Sequence, residues 1–288
     1  MSELHRTVLH GPVVSTQWLA DHLGADDLVV VDATVLPFTQ PNGKPGYLSG
    51  HETYLINGHL PGAVFADLVD EFSDPDGSYP FTRPDLERFT AAASELGVGP
   101  EATVVIYDAA VGQWASRLWW LFRAFGYDNV AILDGGSQKW IAEGRTLDTG
   151  HVQPEPTTFI ANERPELWVE KADVEAIVDG TATAALVCAV PPREFTGEAG
   201  PGHIPGSLGV AAGRLVHRDT NALLPLDELR ALFAPVLGEE RIVAYCKGGI
   251  AASADALVLT LLGHRNVAIY DNSLNEWATE GELVTNAG

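Results

Sequence analysis

Two stretches of this chain repeat one another along most of its length, and that repetition constrains the fold more than any single motif. Gly58-His-Leu-Pro-Gly62 returns as Gly202-His-Ile-Pro-Gly206. Ile132-Leu-Asp-Gly-Gly-Ser-Gln-Lys-Trp140 returns as Ile269-Tyr-Asp-Asn-Ser-Leu-Asn-Glu-Trp277. Between them, the run Thr103-Val-Val-Ile-Tyr107 ends on Asp108, and Arg241-Ile-Val-Ala-Tyr245 ends on Cys246. The separations of these pairs differ by only a few residues of loop, so one unit has been duplicated. Repeats of about 20 to 50 residues mark solenoids; this one is far longer, and each copy has to carry its own core. A length of 288 residues agrees with two domains at about 100 to 200 residues each. We expect an N-terminal domain over 1–145, a linker over 146–164 and a C-terminal domain over 165–288.

Within each copy, short apolar runs alternate with amphipathic segments. Leu28–Asp32, Thr103–Tyr107 and Val130–Leu133 read as strands, with helices over Pro84–Leu96, Ser116–Phe125 and through Trp140. Ala185–Cys188, Ile242–Tyr245 and Val267–Tyr270 repeat the strands, with helices over Leu226–Phe233 and Ser253–Leu262. Fully apolar strands alternating with helices predict an α/β fold, two tandem domains each with a parallel sheet flanked by helices. Ligands of such sheets bind beyond the carboxyl ends of the strands, which is where Cys246 falls. Pro154 and Pro156, with Thr149-Gly150, make the segment between the copies an extended surface connection.

Charge and cysteine content exclude several functions. With 17 basic and 39 acidic residues the net charge is −22, which opposes binding to nucleic acid or an anionic membrane. No basic start leads into an apolar leader, and no run approaches the roughly 18 apolar residues of a membrane span, so the protein is expected in the cytoplasm. Two cysteines suit a reducing compartment and exclude a disulfide scaffold. The histidines lack metal-ligand spacing, so no metal is expected.

Cys246 stands at a strand-to-helix turn, followed by Lys247-Gly-Gly-Ile-Ala-Ala252. A thiol with a pKa near about 8.5 needs positive potential to ionise at neutral pH. The loop amides from Lys247 to Ala252, the start of the following helix and the Lys247 ammonium all supply it. Gly248 and Gly249 let the chain curl with its N–H groups inward, so Lys247, Gly248, Gly249, Ile250, Ala251 and Ala252 are the expected substrate-binding loop. The matching position in the first half is Asp108, and a carboxylate cannot accept a sulfur atom as a thiolate can. The first half is therefore expected to be unreactive.

Both Gly-His-x-Pro-Gly motifs, Arg117-Leu-Trp-Trp120, Leu133-Asp-Gly-Gly136, the Glu276-Trp277 and Glu280-Gly281 ending and the lone Cys246 loop together resemble the two-domain rhodanese family of sulfurtransferases. The resemblance implies a reaction in two halves: Cys246 takes a sulfane sulfur from a donor, becomes a persulfide, and passes the sulfur to cyanide, a thiol or a protein acceptor. It implies no cofactor. Related phosphatases use Cys-x5-Arg, but the sixth residue after Cys246 is Ala252 and the loop has no arginine, which argues against phosphate chemistry.

Donor choice is less firmly written. Thiosulfate-type members carry arginine and lysine after the cysteine, and mercaptopyruvate-type members carry Cys-Gly-Ser-Gly-Val-Thr; here Gly248 and Ala251 stand where hydroxyls would, so no serine relay is available from the loop. An expected anion-binding arginine is missing from Cys188-Ala-Val190, and Arg193 is the nearby candidate to replace it. With Lys247 the only loop charge, thiosulfate is the favoured donor; 3-mercaptopyruvate, for which Gly248 leaves room, and a non-catalytic sulfur-carrier or interaction module are the alternatives.

The remaining residues read mostly as architecture. His59 and His203 belong to turns, although His59 could face a cleft. Trp119, Trp120, Trp140 and Trp277 read as core, Asp32 and Asp134 as organisers of strand ends, and Trp114 as a wall opposite Cys246. Cys188 ends a strand where its counterpart is Asp32, either as buried packing or as a redox partner that closes a disulfide with Cys246.

Overall fold

The computed structural model describes residues 7–43, 45–279 and 281–283, so Glu280 lies outside the described residues. Each half builds a five-stranded, all-parallel sheet. From edge to edge the first runs Val64–Phe65, Leu28–Asp32, Thr103–Tyr107, Val130–Leu133, Val13–Val14. The second runs Leu208–Gly209, Ala185–Cys188, Ile242–Tyr245, Val267–Tyr270, Trp168–Val169. Corresponding strands occupy corresponding places, so the sequence repeat is also a repeat of topology. The central strands Thr103–Tyr107 and Ile242–Tyr245 are buried at every position, because helices cover both faces and leave no solvent side to alternate toward.

The two Gly-His-x-Pro-Gly turns dock on those central strands in the same way. The Leu60 amide donates to the Tyr107 hydroxyl at 3.1 Å, and the Ile204 amide to the Tyr245 hydroxyl at 2.8 Å. Register then puts Asp32 opposite Tyr107 and Cys188 opposite Tyr245.

Two long helices begin earlier than the sequence reading placed them, at Gln113–Ala124 and Ile250–Leu261. Their N-caps are Gly112 and Gly249, with φ of 81° and 74°, a left-handed conformation that glycine adopts without steric cost. In each, the serine four residues on returns its hydroxyl to the glycine carbonyl at 2.7 Å, Ser116 to Gly112 and Ser253 to Gly249. The two helices, one from each half, pack against each other and join the halves through a continuous apolar cluster.

Polar contacts fix the junction. Buried Arg117 of the first half donates to Asp271 of the second at 2.6 Å and to the Phe81 carbonyl at 2.8 Å, and the Arg83 amide also donates to Asp271. The connecting segment lies along the first half: Asp148 and His59 exchange backbone hydrogen bonds, Asn162 donates to the Phe125 carbonyl, and Phe159 is buried. No helix among the described residues is long and apolar enough to cross a membrane.

An antiparallel hairpin, Val35–Thr39 with Pro45–Ser49, has no counterpart in the second half among the described residues. It carries Pro45 and Tyr47 to the junction between the halves, where they meet the Cys246 loop.

Candidate active site

Cys246 follows the last residue of Ile242–Tyr245 and precedes the cap of Ile250–Leu261, so strand and helix fix it from both sides. Ser273 clamps the turn from behind. Its hydroxyl accepts from the Cys246 amide at 3.0 Å and the Gly249 amide at 3.3 Å, and donates to the Tyr270 carbonyl at 2.6 Å. Ser273 holds φ at 52°, and its repeat counterpart, Gly136, has the same angle. A side chain in that conformation costs about 1–3 kcal/mol and persists only where its surroundings impose it; here it places the one hydroxyl that ties the loop down. Because that hydroxyl already serves two amides and a carbonyl, it is committed to holding the loop.

The Cys246 side chain is nearly buried, at 4% exposure, yet it lines a pocket of ≈ 340 Å³ between the halves. The first half contributes an aromatic wall. Trp114, Phe81 and Tyr47 contact one another with ring centroids 5.1 to 5.5 Å apart. Phe81 is held at φ 63°, with its carbonyl gripped by Arg117. The second half contributes the Cys246 loop, the apolar run Ala189–Pro191, and Glu194 from the short helix Pro192–Phe195. Gln113 and Asn275 add side-chain amides.

Of the expected loop residues, Lys247, Gly248, Ile250 and Ala251 line the pocket with Cys246; Gly249 and Ala252 are not among its lining residues. A Cβ on Gly249 would fall 2.7 Å from Asp271 Oδ1 and 2.8 Å from Arg117 Nη1, so the inter-half ion pair sits directly under the turn. Gly248 lines the pocket, and a Cβ there would meet Asn275 Nδ2 at 3.0 Å and the Pro80 carbonyl at 3.4 Å, so a side chain would fit only if Asn275 gave way slightly. Trp114 is in the wall, as its place in the loop suggested.

Lys247 does not stand alone as the loop's charge. Its Nζ lies 2.7 Å from Glu194 Oε2, a charge contact without hydrogen-bond alignment. Glu194 was not singled out from sequence, although its neighbour Arg193 was. Arg193 instead points to the surface and pairs with Glu198 at 2.7 Å, because one residue along a helical turn changes the facing direction by about a quarter turn or more.

His59 is absent from the pocket. It is 1% exposed, stacks on Tyr54, and sets its ring nitrogens against the carbonyls of Leu60 and Gly150. His203 likewise stacks on Phe195 and bonds its carbonyl. Trp119, Trp120, Trp140 and Trp277 are core. Asp32 caps its strand through the Thr34 amide, and Asp134 receives Lys139 and the Leu223 amide.

Cys188 is fully buried, and burial pushes its thiol up to about 12, against a hydrogen bond from Tyr245 that favours the thiolate. It does for Tyr245 what Asp32 does for Tyr107. Side chains alternate along a strand, so the Tyr245 side chain faces Cys188 while the next residue, Cys246, turns away. Both cysteines are free thiols. This geometry supports the packing reading of Cys188 over the disulfide reading.

With fold and pocket in view, the chain belongs to the rhodanese family: the Rhodanese-like domain matches residues 15–143 and 170–280. It is similar to the 3-mercaptopyruvate sulfurtransferase of Escherichia coli K12, 33% identical over 94% of this chain and 96% of that protein. It is also similar to the thiosulfate sulfurtransferase of Cricetulus griseus, 31% identical over 94% of this chain and 93% of that protein. The crystal structure of SseA from Escherichia coli superposes with a TM-score of 0.81 at 32% identity, covering 91% of this chain and 98% of that one. The activity common to these relatives is sulfur transfer, and this chain is a sulfurtransferase.

Proposed function

We propose that Cys246 carries the sulfur. Its thiolate attacks the outer sulfur of a sulfane donor, forming an S–S bond, while the donor's remaining fragment leaves with the electron pair of the broken bond. That fragment is sulfite from thiosulfate, or the pyruvate enolate, which then takes a proton, from 3-mercaptopyruvate. Cyanide or a thiolate next attacks the outer sulfur and leaves as thiocyanate or a hydropersulfide, returning the Cys246 thiolate. The observation that carries this reading is a single thiol at the floor of a ≈ 340 Å³ pocket, beside first-turn amides of Ile250, Ala251 and Ala252 that have no carbonyl within their helix to bind. The first half, over 1–145, supplies the wall and no nucleophile, and 146–164 joins it to the catalytic half.

Between donors, the Lys247–Glu194 contact weighs against a dianion. Thiosulfate would have to displace a carboxylate from the only basic side chain among the described lining residues. The singly charged, carbon-bearing 3-mercaptopyruvate fits this pocket better. Incubation with either donor should place one added sulfur on Cys246 by mass spectrometry, and side-by-side kcat/KM values rank the two. A Cys246→Ser protein that kept full cyanide-dependent thiocyanate production would overturn the assignment.

A further inference from the structure

We infer that Glu194 is a specificity-determining residue that disfavours anions in step with their charge, so that a singly charged donor is taken over a dianion and the thiol accepting sulfur from Cys246 is an uncharged or cationic organic molecule with an apolar body. The inference rests on Cys246 being the sulfur carrier, and three observations support it. First, Lys247 is the only basic and Glu194 the only acidic side chain among the described lining residues, and they are in contact at 2.7 Å; the attraction that Lys247 would offer an anion is cancelled at its source. Glu194 is only 20% exposed, against 50% for Lys247, so the carboxylate is the more enclosed charge and water screens it less.

Second, the opposite wall is aromatic. Tyr47, Phe81 and Trp114 form a mutually packed trio, and aromatic faces attract cations and apolar groups and offer nothing to an anion. Tyr47 lines the same pocket as Cys246, Lys247 and Glu194. The wall and the charge pair therefore address one ligand. Third, ≈ 340 Å³ is the size of a small organic ligand's site and far more than a five-atom donor fills. The overall charge of −22 enriches cations over anions near the mouth as well.

The charge filter can be read on the free Cys246 thiol, without any sulfur transfer. Rates of alkylation by iodoacetate and by iodoacetamide are measured for the full chain, and their ratio is compared with that for free glutathione. In Glu194→Gln the iodoacetate-to-iodoacetamide ratio should rise at least ten-fold, and Glu194→Ala should reproduce the rise. Glu198→Gln, which removes an exposed carboxylate on the same segment, should leave it unchanged. A ratio that does not move in either Glu194 variant, or that moves equally in Glu198→Gln, overturns the filter. On persulfide-loaded protein, sulfur release to cysteamine and to 2-mercaptoethanol should exceed release to 3-mercaptopropionate at least ten-fold once corrected for thiolate fraction. The reverse order overturns the acceptor class. If no persulfide forms on Cys246, the carrier assignment fails, while the alkylation ratio still decides the role of Glu194.

Discussion

The loops at Asp108 and Cys246 occupy the same point of the same topology and satisfy their amides in opposite ways. In the first, the Asp108 carboxylate is itself the anion. It accepts from the amides of Ala110, Gly112, Trp114 and Ala115 at 2.8 to 3.1 Å and is 1% exposed. Burial pushes its carboxyl above the usual range, against the four amides that pull it down. In the second, the loop is one residue shorter between Cys246 and the cap glycine, and an outside residue, Ser273, takes the Cys246 and Gly249 amides. Ala251 and Ala252 match Trp114 and Ala115 in distance from the cap, and on the function proposed above their amides serve the sulfur carried on Cys246. The first loop closes on its own carboxylate; the second has a thiol in that place and is tied down from outside by Ser273.

The strongest way to break this comparison is to cut what the halves share. Arg117→Ala strands the Asp271 carboxylate under the Cys246 turn, and removing one partner of a buried pair costs about 3–5 kcal/mol. Chemical denaturation should show that loss, accompanied by a fall in turnover.

Removing the built-in anion should have the next largest effect. Asp108→Ala leaves the four amides unpaired and should cost about 1–3 kcal/mol. Asp108→Cys in a Cys246→Ser background should stay inactive, since the space beside Gly112 and Gly135 is only ≈ 20 Å³. Sulfur transfer by that double variant would show that the halves differ in one residue alone.

Asp255 sharpens the comparison in the opposite direction. Six residues past the cap glycine the first half has buried Leu118 and the second has buried Asp255, whose carboxylate oxygens have no hydrogen-bond partner. Burial raises its pKa well above the usual value, so the folded protein holds a proton that the unfolded chain releases above about pH 4. Stability should therefore fall as pH rises from about 4 toward the folded value. Asp255→Leu should stabilise by about 1–3 kcal/mol, with an advantage that grows across that range; thermal melts at about pH 5 and about pH 8 check it.

The smallest effect separates hydroxyl from backbone at Ser273. Ser273→Ala loses the clamp and keeps the strain, whereas Ser273→Gly loses the clamp and relieves it, so Gly should be the more stable by about 1 kcal/mol. Equal melting temperatures would mean that the positive φ carries no cost here.

The repeat made the parallel sheets and the Cys246 loop legible, because central strands buried on both faces are written as unbroken apolar runs. Ala185–Cys188, Ile242–Tyr245 and Val267–Tyr270 lie where the apolar runs placed them. Val13–Val14, Val64–Phe65, Trp168–Val169 and Leu208–Gly209 are too short to show a period. The helix starts were displaced because a left-handed glycine cap leaves no Ser, Thr or Asp to read. Half of the pocket was hidden for a different reason. Tyr47, Phe81 and Glu194 reach the Cys246 pocket across long sequence separations, and no local pattern announces a side chain whose role is set by a distant segment. Arg117 was visible as a motif residue, but its partner Asp271 was not.

That shared pair gives the duplication a direction. The first copy has no cysteine, yet its Arg117 holds Asp271 beneath the second copy's Cys246 turn, so the two halves depend on one another. A chain nicked within 146–164 should remain one working particle, its fragments held as an obligate pair, with the first copy as the mould in which the Cys246 loop keeps its shape.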